Sequence, residues 1–288
     1  MAIDDFFLRT GLFLLFLLGG ALVFLFGSSY HNLFPTNRSP AFRAGLPAAF
    51  LALTLFLASR GLTAAWQAAF AFFAAAGANL LATLGGPRLG RLLRANDQSI
   101  RGMALAKFSE ALLNAGSIIG LCLLARVDLG SVYLRAGNLP VGLAVGLTAL
   151  ALFAGAAYRQ LRSFQLAAKT ITAYLPWMAL FALSNAFMEE LWFRGIFLQK
   201  LEPFLGGAAV LILTSIVFTG AHIGAAYLST AERLRFLAIL FPLALAWGFL
   251  MQFTGSLAGS TLFHAGADLL ILNGYIAAFE GKSRMRLD

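Results

Sequence analysis

The chain has 288 residues, of which 60% are hydrophobic and only 11% charged, and its mean hydropathy is +0.83. Soluble domains carry about 25% charged residues, so an ordinary water-soluble protein is excluded. The formal net charge of +9 does not indicate nucleic acid, because the lysines and arginines are spread over short connectors with no basic domain behind them.

Nine apolar segments follow one another, with approximate limits 10 to 27, 44 to 59, 63 to 85, 103 to 125, 139 to 157, 171 to 198, 206 to 226, 236 to 254 and 257 to 279. A stretch of about 20 apolar residues is enough to cross a bilayer. Asp4 and Asp5 precede the first segment and no A-x-A site follows it, which predicts an uncleaved span rather than a signal peptide. The second is short for a span. In the third, Ala74-Ala-Ala-Gly-Ala78 is a small-residue surface of the kind that packs helix on helix. The connector from Pro87 to Gly102 interleaves Leu89, Leu92 and Leu93 with arginines. It reads as a partly helical cytoplasmic surface element able to meet anionic head groups, or as a topology determinant and nothing more.

The fourth segment carries Lys107 and Glu110, spaced i, i+3 and expected to neutralise each other near a span end. It also carries the single cysteine, Cys122, read as packing; one cysteine excludes an internal disulfide and a cysteine-rich metal site. Helices are expected throughout, because a spanning segment must satisfy its own backbone, and the runs lack the alternation of a barrel strand. The predicted fold class is all-α, a polytopic transmembrane helix bundle of eight or nine spans. Residues 1–165 read as an N-terminal scaffold of about five spans, and 166–288 as the core that holds the chemistry.

Orientation follows from the alternation of basic connectors. Arg38, Arg43, Arg88, Arg91, Arg94, Arg101, Arg159, Arg162, Lys169, Arg233, Arg235, Lys282, Arg284 and Arg286 fall on one set of connectors; only Arg9, Arg60, Arg126, Arg135 and Lys200 fall on the other. The bias predicts a cytoplasmic C-terminus.

Ionisable residues in hydrocarbon are costly and mark function. In the sixth segment, Phe187-Met-Glu-Glu-Leu-Trp-Phe-Arg-Gly195 places Arg194 four residues after Glu190, within helical reach. Glu189 projects about 100° away and is left for another task, with Asn185 one turn earlier as a candidate hydrogen-bond partner. In the seventh, Phe218 and His222 share a helical face; in the ninth, His264 and Asp268 do, and the small residues between them allow a neighbouring backbone to come close. Phe218 is a candidate pocket wall. Trp177, Trp192 and Trp247 are read as interface or packing residues without a chemical role, and the third histidine, His31, as incidental. One carboxylate free to act as base, another locked by arginine, and two histidines together outline a hydrolase that activates water without a nucleophilic side chain.

The order Glu189-Glu190-x-x-x-Arg194, Phe218-x-x-x-His222, His264-x-x-x-Asp268, on three separate spans, resembles the three motifs of the CPBP family. That family comprises the CAAX prenyl endopeptidases of the Ras-converting type and bacterial proteins grouped with bacteriocin processing and immunity. The resemblance covers about residues 171 to 279 and implies an intramembrane glutamic endopeptidase, acting on a membrane-delivered peptide or protein in the lipid bilayer of a bacterial inner membrane. By that resemblance Glu189 is the base that activates water with help from His222. Glu190 orients the site with Arg194, and His264 with the residue four positions on binds the oxyanion. That residue is Asp268 here, where the eukaryotic-type prenyl proteases carry asparagine. An ionised aspartate cannot donate a hydrogen bond, which weakens the inference of a prenylated substrate more than that of family membership.

No cofactor is implied by this reading. Two others stand beside it. One is a zinc protease with the metal on His222, His264 and Glu189, although no H-E-x-x-H is present. The other belongs to a different class, a peptide-binding immunity protein or a proton-coupled transporter; the absence of an internal repeat argues against the latter. The sequence specifies no partner subunit.

Overall fold

The computed structural model describes residues 3–28, 36, 39–224 and 230–281. His31, Arg38, Lys282, Arg284 and Arg286 therefore lie outside the described residues.

The described residues are predominantly helical, and no strand occurs among them. Helix α1 (Ile3–Gly20) passes into a π-helical turn, Ala21–Phe26. It is followed by α2 (Pro40–Ser59), α3 (Thr63–Leu93), α4 (Ile100–Leu124) and α5 (Leu139–Ser163). Helix α6 (Ala168–Glu189) runs into a second π-helical turn, Glu190–Gly195, before the short α7 (Leu198–Leu205). Helices α8 (Gly207–Ala221), α9 (Thr230–Thr254) and α10 (Leu257–Phe279) complete the bundle. Among the described residues, nine helical segments are long and apolar enough to cross a membrane. They agree with the nine expected from hydropathy, so the protein is a polytopic integral membrane protein.

Helix starts follow local capping chemistry. Ser39, Ser99 and Ser256 each accept a hydrogen bond from a backbone N–H of the helix that follows, as does Asn138, which satisfies donors that the first turn leaves unpaired. One boundary departs from expectation. Helix α3 does not end before Pro87 but continues to Leu93 and stops at Arg94, whose backbone is left-handed (φ 57°). The Pro87 to Gly102 connector is thus the end of α3 plus a tight turn onto Ser99. Membrane helices tolerate interior proline, and Pro47, Pro176 and Pro242 also lie inside helices here.

Helix α3 is deeply enclosed over its first half: Ala68–Phe72 and Ala74–Asn79 are buried. The largest hydrophobic core joins it to Phe24 of the first π turn, Cys122 of α4, Trp192 and Phe193 of the second π turn, Phe218 of α8 and Trp247 of α9. Leu14, Leu55, Leu124, Leu152 and Phe253 stand exposed on helices long enough to span, the positions a bilayer covers.

Helix α5 packs mainly on α10, and α4 on both α3 and α6. The α5–α10 seam is backbone on backbone. A Cβ added at Gly259 would sit 2.6 Å from the Gly142 carbonyl oxygen, and one at Gly146 would sit 2.7 Å from that of Gly259. Gly266, between His264 and Asp268, faces the Leu150 backbone in the same way. This seam sets the depth and rotation at which α10 presents its polar residues. Gly259→Leu is expected to destabilise the fold by ~1–3 kcal/mol through overpacking, read as a lower midpoint of thermal unfolding in detergent.

Candidate functional site

The polar residues of the C-terminal half meet where α6 gives way to its π-helical turn. Such turns interrupt regular helices and often coincide with functional sites. All six residues from Glu190 to Gly195 are buried, so this turn brings a carboxylate and a guanidinium into an apolar interior.

Glu190 is the hub. Arg194 Nη1 donates to its Oε1 at 2.6 Å, Ser260 Oγ donates to Oε2 at 2.6 Å, and His264 Nδ1 lies 2.8 Å from Oε1. One side chain therefore ties its own turn to α10. Glu190 and Arg194 are both 0% exposed, and two charges so far from water are tolerated only when each compensates the other. The rest of the guanidinium is covered by aromatic faces, with Cζ 4.4 Å from the Phe218 ring centre and 5.6 Å from that of Trp247. Gly248 makes room for it, since a Cβ there would press on Leu211 and reach 3.4 Å from Arg194 Cδ.

Glu189 points elsewhere, as the helical turn requires. Its Oε2 is buried with no hydrogen-bond partner among the described residues, and lies 4.0 Å from His222 Nε2 and 3.6 Å from His264 Nε2. His222 follows α8 in a short 3-10 turn, where Nδ1 meets the Phe218 carbonyl oxygen at 2.8 Å. A carbonyl only accepts, so the proton sits on Nδ1 and the Nε2 of the neutral ring is an acceptor. Glu189 and His222 share the lining of a cavity of ≈ 10 Å³ with Phe24, Ser28, Trp192, Phe193 and Ala221. That is about the room one water needs.

His264 is held on both sides. Glu190 engages Nδ1, and the indole of Trp247 stacks on the ring at 3.9 Å and 8°. Its Nε2 faces Glu189 and Asp268 Oδ1, the latter at 3.7 Å. Asn185 is not the partner of Glu189 that its position one turn earlier suggested. It donates through Nδ2 to Asp268 Oδ2 at 3.0 Å, because α10 packs on α6 and brings a carboxylate closer than the next turn of its own helix. Phe218 is 0% exposed and contacts both histidine rings, behind the cavity rather than on its lining.

The structure thus brings together Glu189, Glu190, Arg194, His222, His264 and Asp268, with Asn185 and Phe218 around them. Lys107 pairs with Glu110 at 2.8 Å, as their spacing implied. Sequence reasoning missed Ser260, the second ligand of Glu190, and Trp247, the plate beneath His264. Ser260 stands one turn before His264, so the face of α10 already contained it; no local signal distinguished Trp247 from other membrane tryptophans. For the zinc reading, no group of three or more His, Cys, Asp or Glu among the described residues is arranged to hold a metal ion.

Removing one member of the buried pair should cost more than removing both. Glu190→Gln is expected to destabilise by ~3–5 kcal/mol, while Glu190→Gln with Arg194→Met recovers most of that loss. Thermal unfolding of the single and double variants in one detergent makes the comparison.

Residues 171–270 match a family model described as Type II CAAX prenyl endopeptidase Rce1-like, and no curated protein and no solved structure matches the chain. The matched segment contains Glu189, Glu190, Arg194, His222, His264 and Asp268; the first 170 residues lie outside it. Through this segment the chain is similar to the Rce1-like CAAX endopeptidases, and it is a membrane-embedded protease whose substrate is a peptide met in the bilayer.

Proposed function

We propose that the protein is a glutamic intramembrane endopeptidase in which Glu189 activates the attacking water. The observation that carries this reading is the pairing of two acceptors, Glu189 Oε2 and His222 Nε2, 4.0 Å apart on the wall of a water-sized cavity. One water bridges acceptors at that separation with hydrogen bonds of about 2.8 Å and an angle of about 90° at its oxygen. Its remaining lone pairs then face away from the two side chains, toward a peptide carbonyl.

The steps follow from the charges. As the water oxygen bonds to the carbonyl carbon, its proton passes to Glu189. The negative charge that develops on the carbonyl oxygen is met by His264 in its doubly protonated form, with Nε2–H as the donor. The C–N bond then breaks and Glu189 returns the proton to the departing amine nitrogen. Glu190 never enters the chemistry. With Arg194, Ser260 and Trp247 it holds His264 in place, so the donor is oriented before the charge appears. Asp268, an acceptor paired with Asn185, balances the charge on His264 instead of donating to the oxyanion.

The bias of lysine and arginine between connectors supports a cytoplasmic C-terminus in a bacterial inner membrane. The substrate proposed is a membrane-delivered peptide cut near its C-terminus.

Glu189→Gln keeps the size of the side chain and removes the base, and is expected to lower kcat by about 10²–10⁴. The assay uses nanodisc-held protein and a quenched peptide ending in farnesylated cysteine plus three residues, beside the same peptide without the lipid. Cleavage at the wild-type rate by Glu189→Gln removes Glu189 as the base. In the same assay, activity is expected to persist after treatment with 1,10-phenanthroline. Loss of activity that returns with added zinc would favour the metal reading on His222, His264 and Glu189.

A further inference from the structure

A cleft of ≈ 350 Å³ opens between α3 and α4, lined by Asn79, Thr83 and Gly86 on one side and Ser109, Glu110 and Asn114 on the other. The volume falls in the range of ligand sites, roughly 300–1,000 Å³. Its inner end is closed by Ser28 and Trp192, and the same two residues line the cavity that holds Glu189 and His222. The indole of Trp192, pinned through Nε1 to the Ala75 carbonyl at 3.1 Å, therefore stands between the two spaces. The outer end is formed by Gly90 and Ala95, beside Arg91 and Arg94, where the helix pair meets its basic connector. The cleft runs from that connector into the bilayer and ends at the wall of the catalytic cavity.

Its chemistry is one-sided, because donors on the lining are spent inside the protein. Ser109 Oγ donates to the Ala106 carbonyl at 2.8 Å, Thr83 Oγ1 to that of Asn79 at 2.8 Å, and Asn79 Nδ2 to that of Gly27 at 2.9 Å. Asn114 Nδ2 reaches the Glu110 carbonyl at 3.2 Å and Met188 Sδ at 3.6 Å. The carbonyl only accepts, which fixes that amide's orientation. It leaves Asn114 Oδ1 buried without a partner among the described residues, on a side chain 1% exposed. Beside it stands the carboxylate of Glu110, whose Oε2 is already met by Lys107 Nζ at 2.8 Å. An occupant that satisfies this lining must bring N–H groups. A lipid acyl chain brings none, whereas an extended peptide brings one at nearly every residue. A helical peptide would keep its N–H groups for itself.

We propose that the α3–α4 cleft receives the segment of the peptide substrate adjoining the scissile bond, in extended form, and that Asn114 Oδ1 accepts a hydrogen bond from its backbone. The proposal rests on the reading of Glu189 as the base only in placing the scissile bond beyond Trp192. It makes α3 and α4, outside the family match, part of substrate recognition.

The test uses the full chain in nanodiscs with the farnesylated quenched peptide. Asn114→Leu preserves bulk and removes the acceptor, and is expected to raise KM about tenfold with kcat little changed. Gly86→Trp plugs the cleft from a position where nothing lies within 4 Å of an added Cβ, and is expected to raise KM by at least about tenfold. A benzophenone form of the peptide, bound to Glu189→Gln so that cleavage is slow on the time of labelling, should label fragments containing α3 or α4, and Gly86→Trp should abolish the label. The cleft assignment is overturned if both variants keep the wild-type KM, or if the label appears only on other helices or not at all. These results are separable from failure of the base reading, which shows instead as unchanged cleavage by Glu189→Gln.

Discussion

An arginine and a glutamate buried together at the level of lipid tails constrain everything around them. Neither Glu190 nor Arg194 reaches solvent, so each stays charged only while the other is in place and while the remaining lone pairs are answered. Ser260 and His264 answer the carboxylate; the faces of Phe218 and Trp247 cover the guanidinium. These four residues come from α8, α9 and α10. Satisfying one ion pair thus fixes the relative placement of three helices around the π turn of α6, and the glycine seam between α5 and α10 holds that arrangement from behind.

The same constraint separates the two adjacent glutamates. Glu190 is consumed by its partners, whereas Glu189, rotated by one residue, faces a small cavity with an unanswered oxygen. An acceptor buried without a donor is costly, and in the mechanism proposed above the missing donor is the attacking water. Two neighbouring residues of identical chemistry come to differ through what surrounds them, one locked as framework and the other available to water.

The first five helices are more than a jacket. Helix α3 supplies the carbonyl that pins Trp192, and α4 supplies Asn114, whose amide touches Met188 next to Glu189. The largest hydrophobic core crosses the border near residue 165 without interruption. Small residues along α3 make this possible, since only Ala and Gly let a large indole approach a helix closely enough to reach a backbone carbonyl.

Much of this protein was legible in its sequence because the bilayer simplifies the problem. Spans must be helical and about 20 residues long, so hydropathy alone located nine of them. The expense of ionisable groups in hydrocarbon singled out Glu189, Glu190, Arg194, His222, His264 and Asp268 before any contact was known. Spacing along one helix also foretold the Glu190–Arg194 and Lys107–Glu110 pairs, since both depend only on helical geometry. What spacing could not decide was any choice between helices. Asn185 has Glu189 one turn away and yet bonds Asp268, because α10 packs closer than the next turn. Ser260 and Trp247 acquire their places from interhelical contact, and so does the shared wall of Trp192 between cavity and cleft. Those relations depend on how helices cross and rotate; the glycines and the buried charges are visible in the chain, but which partner on another helix each of them meets is not.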